Sequence, residues 1–273
     1  MTQGSPLAVP MPWDLVSSAY AEEVVPMFEA FAREALRLVA PPASSRIVDV
    51  ACGPGTLSVL AAQDGHRVDA LDFSPQMIDK LTARIAQLGI STITPQLGDG
   101  QALPYADATF DAGFSMFGLM FFPDRAKGFA ELRRVLEPGA KALVSSWHPM
   151  DKIPVFTAMF GAIRETMSKV TGAPPPPDRP MPLTTVDECR TEMSASFADV
   201  AVHEFATTQE APSTDALWES LTRTMAPIVL MKKNLGDKFA AIDAAAREAM
   251  RAAIGSGPAR LEMKAHFTVG TAR

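Results

Sequence analysis

Between residues 13 and 38 the apolar positions Val24, Met27, Phe28, Phe31, Ala35 and Leu38 recur at three- and four-residue steps, which places them on one face of a helix. Pro26 either splits this stretch into two helices or sits in the first turn of the second, because proline lacks the amide hydrogen a helix interior needs. Pro41-Pro42 ends it, and residues 1–12, with three prolines, read as a loose lead-in. A different rhythm then begins. Buried-strand patterns at 46–50, 66–72, 92–97, 110–116 and 140–146 are interleaved with helical patterns at 56–63, 76–88 and 125–136, the last stopped by Glu137-Pro138-Gly139. Strands separated by helices predict a parallel sheet with right-handed crossovers, and hence a doubly wound α/β core. Beyond Trp147 the pattern predicts a helix over 153–170, a stiff extended connector over 172–177, and helices over 214–225 and 236–253. Strand-like alternation marks 197–207 and 261–269, the latter through Met263, Ala265, Phe267 and Val269. No internal repeat is evident.

Composition narrows the partners. Of 273 residues, 47% are apolar and 21% charged, enough for a substantial core. The net charge of -6 and the lack of any basic run argue against nucleic acid. Cys52 and Cys189 stand far apart without a CxxC or Cys/His pattern, so neither a disulfide framework nor a zinc site is expected, and no metal is assigned. No apolar stretch reaches membrane-spanning length, and the first residues lack the layout of a signal peptide, so a soluble cytoplasmic protein is expected. The oligomeric state is not legible.

The passage Val48-Asp49-Val50-Ala51-Cys52-Gly53-Pro54-Gly55-Thr56 carries the strongest chemical signal. It runs from a buried strand through a glycine turn into a helix. Glycines there let the backbone approach a ligand, and the amides opening the helix face its polar groups. The same turn also serves as a plain strand–helix connection. Asp72 ends the next strand, seventeen positions after Gly55, where an acidic residue accepts hydrogen bonds from ribose hydroxyls in nucleotide-binding α/β folds.

The glycine-turn passage, together with Leu71-Asp72-Phe73-Ser74-Pro75-Gln76-Met77, Gly98-Asp99-Gly100-Gln101-Ala102-Leu103-Pro104-Tyr105 and Leu136-Glu137-Pro138-Gly139-Ala140, resembles the class I S-adenosylmethionine (SAM)-dependent methyltransferases of the type 11 group, which includes the C-methyltransferases of quinone biosynthesis. The resemblance covers residues 44–148 and implies a Rossmann-like, mostly parallel seven-stranded sheet. Residues 1–43 would be a helical segment covering the cofactor, and 149–273 would supply lid-like substrate-side insertions and the last two strands. It implies SAM as cofactor, with Gly53 and Gly55 along its methionine and ribose part and Asp72 on the ribose hydroxyls. Phe73 and Met77 would flank the adenine, Asp99, Gly100 and Gln101 would meet its edge, and Ser115 and Met116 would lie beside the methionine portion. Asp49 would orient the glycine loop from below. Two departures from the family stand out. The family commonly has glycine at Ala51, which sets the loop slightly farther from the cofactor, and alanine at Gly100, which predicts a looser backbone. Ser58 stands where a nicotinamide-binding turn favours a third glycine.

Methyl transfer from a sulfonium is chiefly a matter of in-line alignment, with a base added when the nucleophile is neutral. His148, after the fifth strand, is the candidate base; the plain alternative is a loop or packing histidine. Tyr20 and Trp13 either fold over the cofactor, with the tyrosine at its carboxylate, or pack the first helix against the domain. The aromatic and Met-rich run 114–122 divides between core and an apolar substrate pocket, with 226–231 and Met159-Phe160 as possible lid pieces. The expected partner is thus a small, partly apolar methyl acceptor. Other readings are a non-methylating SAM enzyme such as a cyclase, an NAD-dependent dehydrogenase, and a non-catalytic SAM-binding protein.

Overall fold

The alternation of strand and helix patterns closes into a single seven-stranded sheet of order β3-β2-β1-β4-β5-β7-β6. The computed structural model describes residues 5–174 and 181–273. Strands β1 (Arg46–Val50), β2 (Arg67–Asp72), β3 (Ile93–Leu97), β4 (Phe110–Met116) and β5 (Leu136–Trp147) are mutually parallel. β7 (Ala259–Ala272) runs antiparallel to both β5 and β6 (Phe197–Ala211). The order reverses direction at β1 and β4, and the crevice above their C-terminal ends is where such sheets bind ligands.

Period-two alternation splits the sheet's side chains between two cores. Ile47, Val68, Ala112, Phe114, Leu143 and Phe267 pack on one face, under helices α2 (Val25–Val39), α3 (Thr56–Gln63) and others described below. Val48, Val50, Leu71, Phe110, Ala142 and Val144 pack on the other with Phe129, Leu132 and Met193. α4 (Pro75–Leu88) opens on a Ser74 cap whose side chain accepts from the Met77 amide, and α5 (Arg125–Arg134) opens likewise on Asp124. α6 (Pro154–Thr171), α8 (Thr214–Thr224) and α10 (Phe239–Ile254) contribute Phe156, Trp218 and Ile242 to the first core. The Trp218 indole donates to Asp243 at 2.8 Å, satisfying its polar end inside that core.

Three predictions from the sequence pattern need correction. Glu137-Pro138-Gly139 does not end a helix before a new strand. These residues lie within β5 and bulge outward, because the register passes from Phe110↔Leu136 to Ala112↔Lys141. The short polar helix α7 (Val186–Ser194) was not foreseen, although Thr185 and Glu188 form a reciprocal capping box before it. Finally, the segment 226–231 opens a helix of its own, α9 (Ala226–Leu235), in which Ala226 packs against Val16 and Met77 rather than over the crevice. Residues 1–4 of the lead-in and 175–177 of the connector lie outside the described residues.

At the N-terminus, α1 (Met11–Ala19) leads into α2, and Pro26 sits in the first turn of α2, the second of the two expected placements. A π-helical turn, Tyr20–Val24, joins them, with the Val25 amide bonding five residues back to the Tyr20 carbonyl. Pro26 offers no amide hydrogen, so the ladder is already interrupted there and the wider turn costs little. The π-turn sets the rotation of α1. It brings Asp14 to the start of α4, where its carboxylate accepts from Ser74 Oγ at 2.6 Å and from the Gln76 amide at 3.4 Å.

Deleting Ala21 should return this turn to α register and rotate α1 by about 100°. In hydrogen exchange, residues 11–19 of the deletion variant should lose protection while the sheet keeps its own. Unchanged protection over 11–19 would show that α1 docks independently of the π-turn.

Candidate cofactor and active-site cleft

The glycine turn between β1 and α3 forms the floor of a cleft of about 1100 Å³, counting its open mouth. Its backbone alternates through the left-handed region at Ala51 (φ 57°), Gly53 (φ 54°) and Gly55 (φ 76°). Gly55 is required by packing as well as by φ, because a Cβ there would stand 2.3 Å from Leu81 Cδ1. Gly53 instead has open space where its Cβ would be, so its bare backbone faces the cleft.

Two buried carboxylates brace this turn from opposite sides. Asp49, 1% exposed, accepts from Ser58 Oγ at 2.6 Å through one oxygen, while its Oδ1 has no hydrogen-bond partner among the described residues. Asp72 accepts from the Gly53 amide at 2.8 Å and the Ser74 amide at 2.9 Å. Burial raises the Asp49 carboxyl to about 7 against the pull of Ser58, and nearby Asp72 adds to the rise. Asp72 is raised by burial to about 6, held down in part by the Ser74 and Gly53 amides. Burial, and then Asp72, pushes the Tyr20 phenol upward, so it stays a neutral donor. The Cys52 thiol is also pushed well above its usual value by burial, which leaves it inert as a nucleophile.

Of the residues singled out from the sequence, Tyr20, Asp49, Ala51, Gly53, Asp72, Phe73, Met77, Asp99, Gly100, Gln101 and Met116 all line this cleft. Gly55 stands behind the turn. Ser115 is fully buried, because strand alternation turns Met116 to the cleft and Ser115 inward, where its Oγ accepts from the Leu119 amide at 3.2 Å. Gln101 bridges Asp99, through its side-chain amide at 3.1 Å, and the Asp124 amide at 2.9 Å, tying the β3–β4 loop to the cap of α5. Trp13 and Phe121, in edge contact at 5.1 Å, close the rim with Leu7 and Phe122. Leu7, Ala8 and Phe28 were missed: a residue in a proline-rich lead-in or on a helix face carries no sequence mark of lining a cleft.

His148 lies elsewhere. It lines a second cavity with Trp147 and Met263, and Trp147 stacks at 4.0 Å on Phe117, which lines the first cleft. His148 is not among the residues that line that cleft. Burial and the neighbouring His266 push its pKa down, favouring the neutral imidazole. Met159 is fully buried in the core, and neither it nor the half-exposed Phe160 lines the cleft.

The two departures in the loop have steric explanations. A Cβ on Gly118 would stand 2.3 Å from Ala51 Cβ, so Gly118 makes room for the methyl that Ala51 carries. A Cβ on Gly100 would meet Phe122 Cζ at 2.5 Å and Val50 Cγ1 at 2.8 Å. Gly100 is thus packed tightly beneath an aromatic ring, not slack.

With this geometry in view, residues 47–139 match the family model described as a methyltransferase domain. Over those residues the chain is similar to a methyltransferase domain. An uncharacterized protein of Mycobacterium tuberculosis is 38% identical over 131 residues, 48% of this chain and 46% of that protein. The demethylmenaquinone methyltransferase of Clavibacter sepedonicus is 40% identical over 108 residues, 40% of this chain and 43% of its own. The chain thus spans about half the length of the curated relatives it matches. Among solved structures, the YcgJ protein of Bacillus subtilis superposes with a TM-score of 0.58 at 16% identity, covering 89% of this chain and 97% of its own. The 4+2 cyclase SpnF gives 0.63 at 16% identity, with coverage of 98% and 99%. Both likenesses are of fold alone, and that with the cyclase takes in the sheet through its antiparallel β6–β7 end. No helix among the described residues is long and apolar enough to cross a membrane.

Gly118→Ala should destabilise the methyltransferase domain by about 1–3 kcal/mol through overpacking, and Ala51→Gly in the same chain should recover most of that loss. Urea unfolding of both single variants and the double variant measures the coupling, and strictly additive effects would contradict the contact. A second outcome concerns pH. Asp49 and Asp72 hold protons in the folded chain above the ordinary carboxylate value of 3.8, so the folded state binds more protons than the unfolded state between about pH 4 and 7. Their contribution to stability is greatest at the acid end and declines as pH rises through that window. Asp49→Asn should flatten this slope between pH 5 and 8, and a slope identical to wild type would show that Asp49 is ionised in the fold.

Proposed function

We propose that this protein is a SAM-dependent methyltransferase that transfers a methyl group to an oxygen, nitrogen or carbon of a small, partly apolar metabolite. The observation that carries the reading is the pair of buried carboxylates, Asp49 and Asp72, flanking a bare glycine turn with Asp49 Oδ1 left unpartnered at the cleft. A ligand carrying a cationic amino acid and a ribose fits this donor set. A dinucleotide would bring its pyrophosphate against the same two carboxylates, which opposes the dehydrogenase alternative.

When bound, SAM supplies an already activated sulfonium methyl. Asp49 Oδ1 and the Gly53 backbone hold the amino-acid end, and the neutral Tyr20 phenol donates to its carboxylate. Asp72 keeps lone pairs free beyond its two amide bonds and takes the ribose hydroxyls. Phe73 and Met77 flank the adenine, while Asp99, Gly100 and Gln101 meet its edge. Met116 borders the methionine portion, Gly55 shapes the turn, and Ser115 fixes the end of β4. Leu7, Ala8, Trp13, Tyr20 and Phe28 of the N-terminal segment cover the cofactor, and the residues that line the cleft all come from 7–123. Phe28, Phe117, Phe121 and Phe122 give the acceptor an aromatic wall, so exclusion of water and alignment are the protein's main contributions. Proton removal by His148 is not part of this reading, since His148 lines the second cavity and not the cleft. The free cysteines Cys52 and Cys189 suit a reducing compartment, and we assign the enzyme to the cytoplasm.

Calorimetric titration with SAM and, separately, NAD tests the cofactor assignment. SAM should bind and NAD should not, and Asp72→Ala should weaken SAM by about tenfold or more, the loss of a charge-assisted hydrogen-bond pair. NAD binding alone would move the case to a dehydrogenase. Mass analysis of products from apolar and aromatic acceptors then distinguishes methyl transfer, a gain of one methyl, from an isomerising use of the same cofactor.

A further inference from the structure

Outside the cleft, three adjacent strands bring a second set of chemistry-bearing side chains together. Glu204 on β6 stands directly opposite His266 on β7, which pairs in turn with Ser146 on β5. His148 lies two residues beyond Ser146, and so on the same face. One ligand atom from each of His148, His266 and Glu204 falls within 4.8 Å of the other two. The imidazoles stack with centroids 3.9 Å apart, and His148 Nε2 is 3.4 Å from Glu204 Oε1.

The tautomer of His266 is fixed by its surroundings. Its Nε2 lies 3.0 Å from the Thr184 carbonyl, which can only accept, so the proton sits on Nε2 and Nδ1 carries a lone pair. His266 is only 2% exposed, and that Nδ1 has no partner among the described residues. His148 Nε2 is likewise buried and makes no hydrogen bond, with the Glu204 carboxylate 3.4 Å away. Two orphaned ring nitrogens beside one carboxylate cost free energy unless something satisfies them together.

We infer that His148, His266 and Glu204 bind a divalent transition ion of the zinc class. Two neutral imidazoles and a carboxylate are the ligand types such ions select. The Thr184 carbonyl already performs the outer task of orienting a ligating histidine through its second nitrogen. Metal–ligand bonds near 2.1 Å require the three atoms to draw inward and the stacked imidazoles to turn out of their parallel arrangement, because each lone pair lies in its own ring plane. Glu204, whose side chain is 62% exposed, is free to make that movement. The neighbouring cation Lys264 is already held by Glu262 at 3.1 Å. His148 also lines the second cavity, so a fourth position filled by water or a ligand would open on that side, apart from the cofactor cleft. The inference does not depend on methyl transfer.

The test uses the full chain after chelator treatment and dialysis, titrated with Zn²⁺ by calorimetry and with Co²⁺ by visible absorption. One Zn²⁺ should bind per chain and raise the melting temperature, and Co²⁺ should give ligand-field bands without a thiolate charge-transfer band. His148→Gln and Glu204→Gln, at half-buried and exposed positions, should each weaken binding by about tenfold or more while melting like the metal-free wild type. Absence of saturable binding, binding unchanged in both variants, or a thiolate band pointing to Cys52 or Cys189 would each overturn the inference.

Discussion

Asp72 ties the crevice together. Its two oxygens take the amide of Gly53 in one loop and of Ser74 in the next, so the turn after β1 and the cap of α4 cannot shift independently. Ser74 in turn donates to Asp14, which fixes α1 across the crevice mouth. A single buried carboxylate thus sets the relation between the turn, the helix flanking it and the N-terminal segment above. Burial makes that arrangement tense, because a charge in this position has little water around it and relies on backbone amides for compensation. The same tension makes the crevice receptive to a positively charged ligand.

Much of this was legible from residue pattern. Period-two and period-3.6 spacing located β1 to β4 and the helices α3 and α4 within a residue or two, because each is amphipathic or continuously buried and bounded by glycine or proline. The glycine turn and Asp72 were legible because their chemistry is local: one needs a positive φ, the other a strand end. Where turn residues sat inside an element, the pattern misled. Pro138-Gly139 signals a break, and the sheet absorbs it as a bulge in β5. α7 escaped notice because its polar sequence leaves only Cys189 and Met193 facing inward.

The least legible features depend on pairs distant in sequence. Nothing adjacent to His148 in the chain shows that its ring would stack on His266 and line the second cavity rather than the crevice. The cluster at the β5–β7–β6 end draws on residues 148, 204 and 266, with no spacing motif, because antiparallel register and not sequence proximity assembles it. Cysteine arithmetic had argued against a metal, and it addressed only thiolate sites. A histidine and a glutamate opposite each other on neighbouring strands, with a second histidine at the end of a third, leave no trace in one dimension.

The contact between Ala51 and the bare α-carbon of Gly118 has a historical consequence. A methyl group can occupy either position but not both, so the two sites cannot drift freely. From a chain with glycine at both positions, a descendant can acquire the alanine at residue 51 in one step and remain folded. Once it has done so, residue 118 is locked until residue 51 reverts. The order of changes is therefore constrained, and lineages that placed the methyl on opposite sides of this contact would be separated by a step through the double glycine.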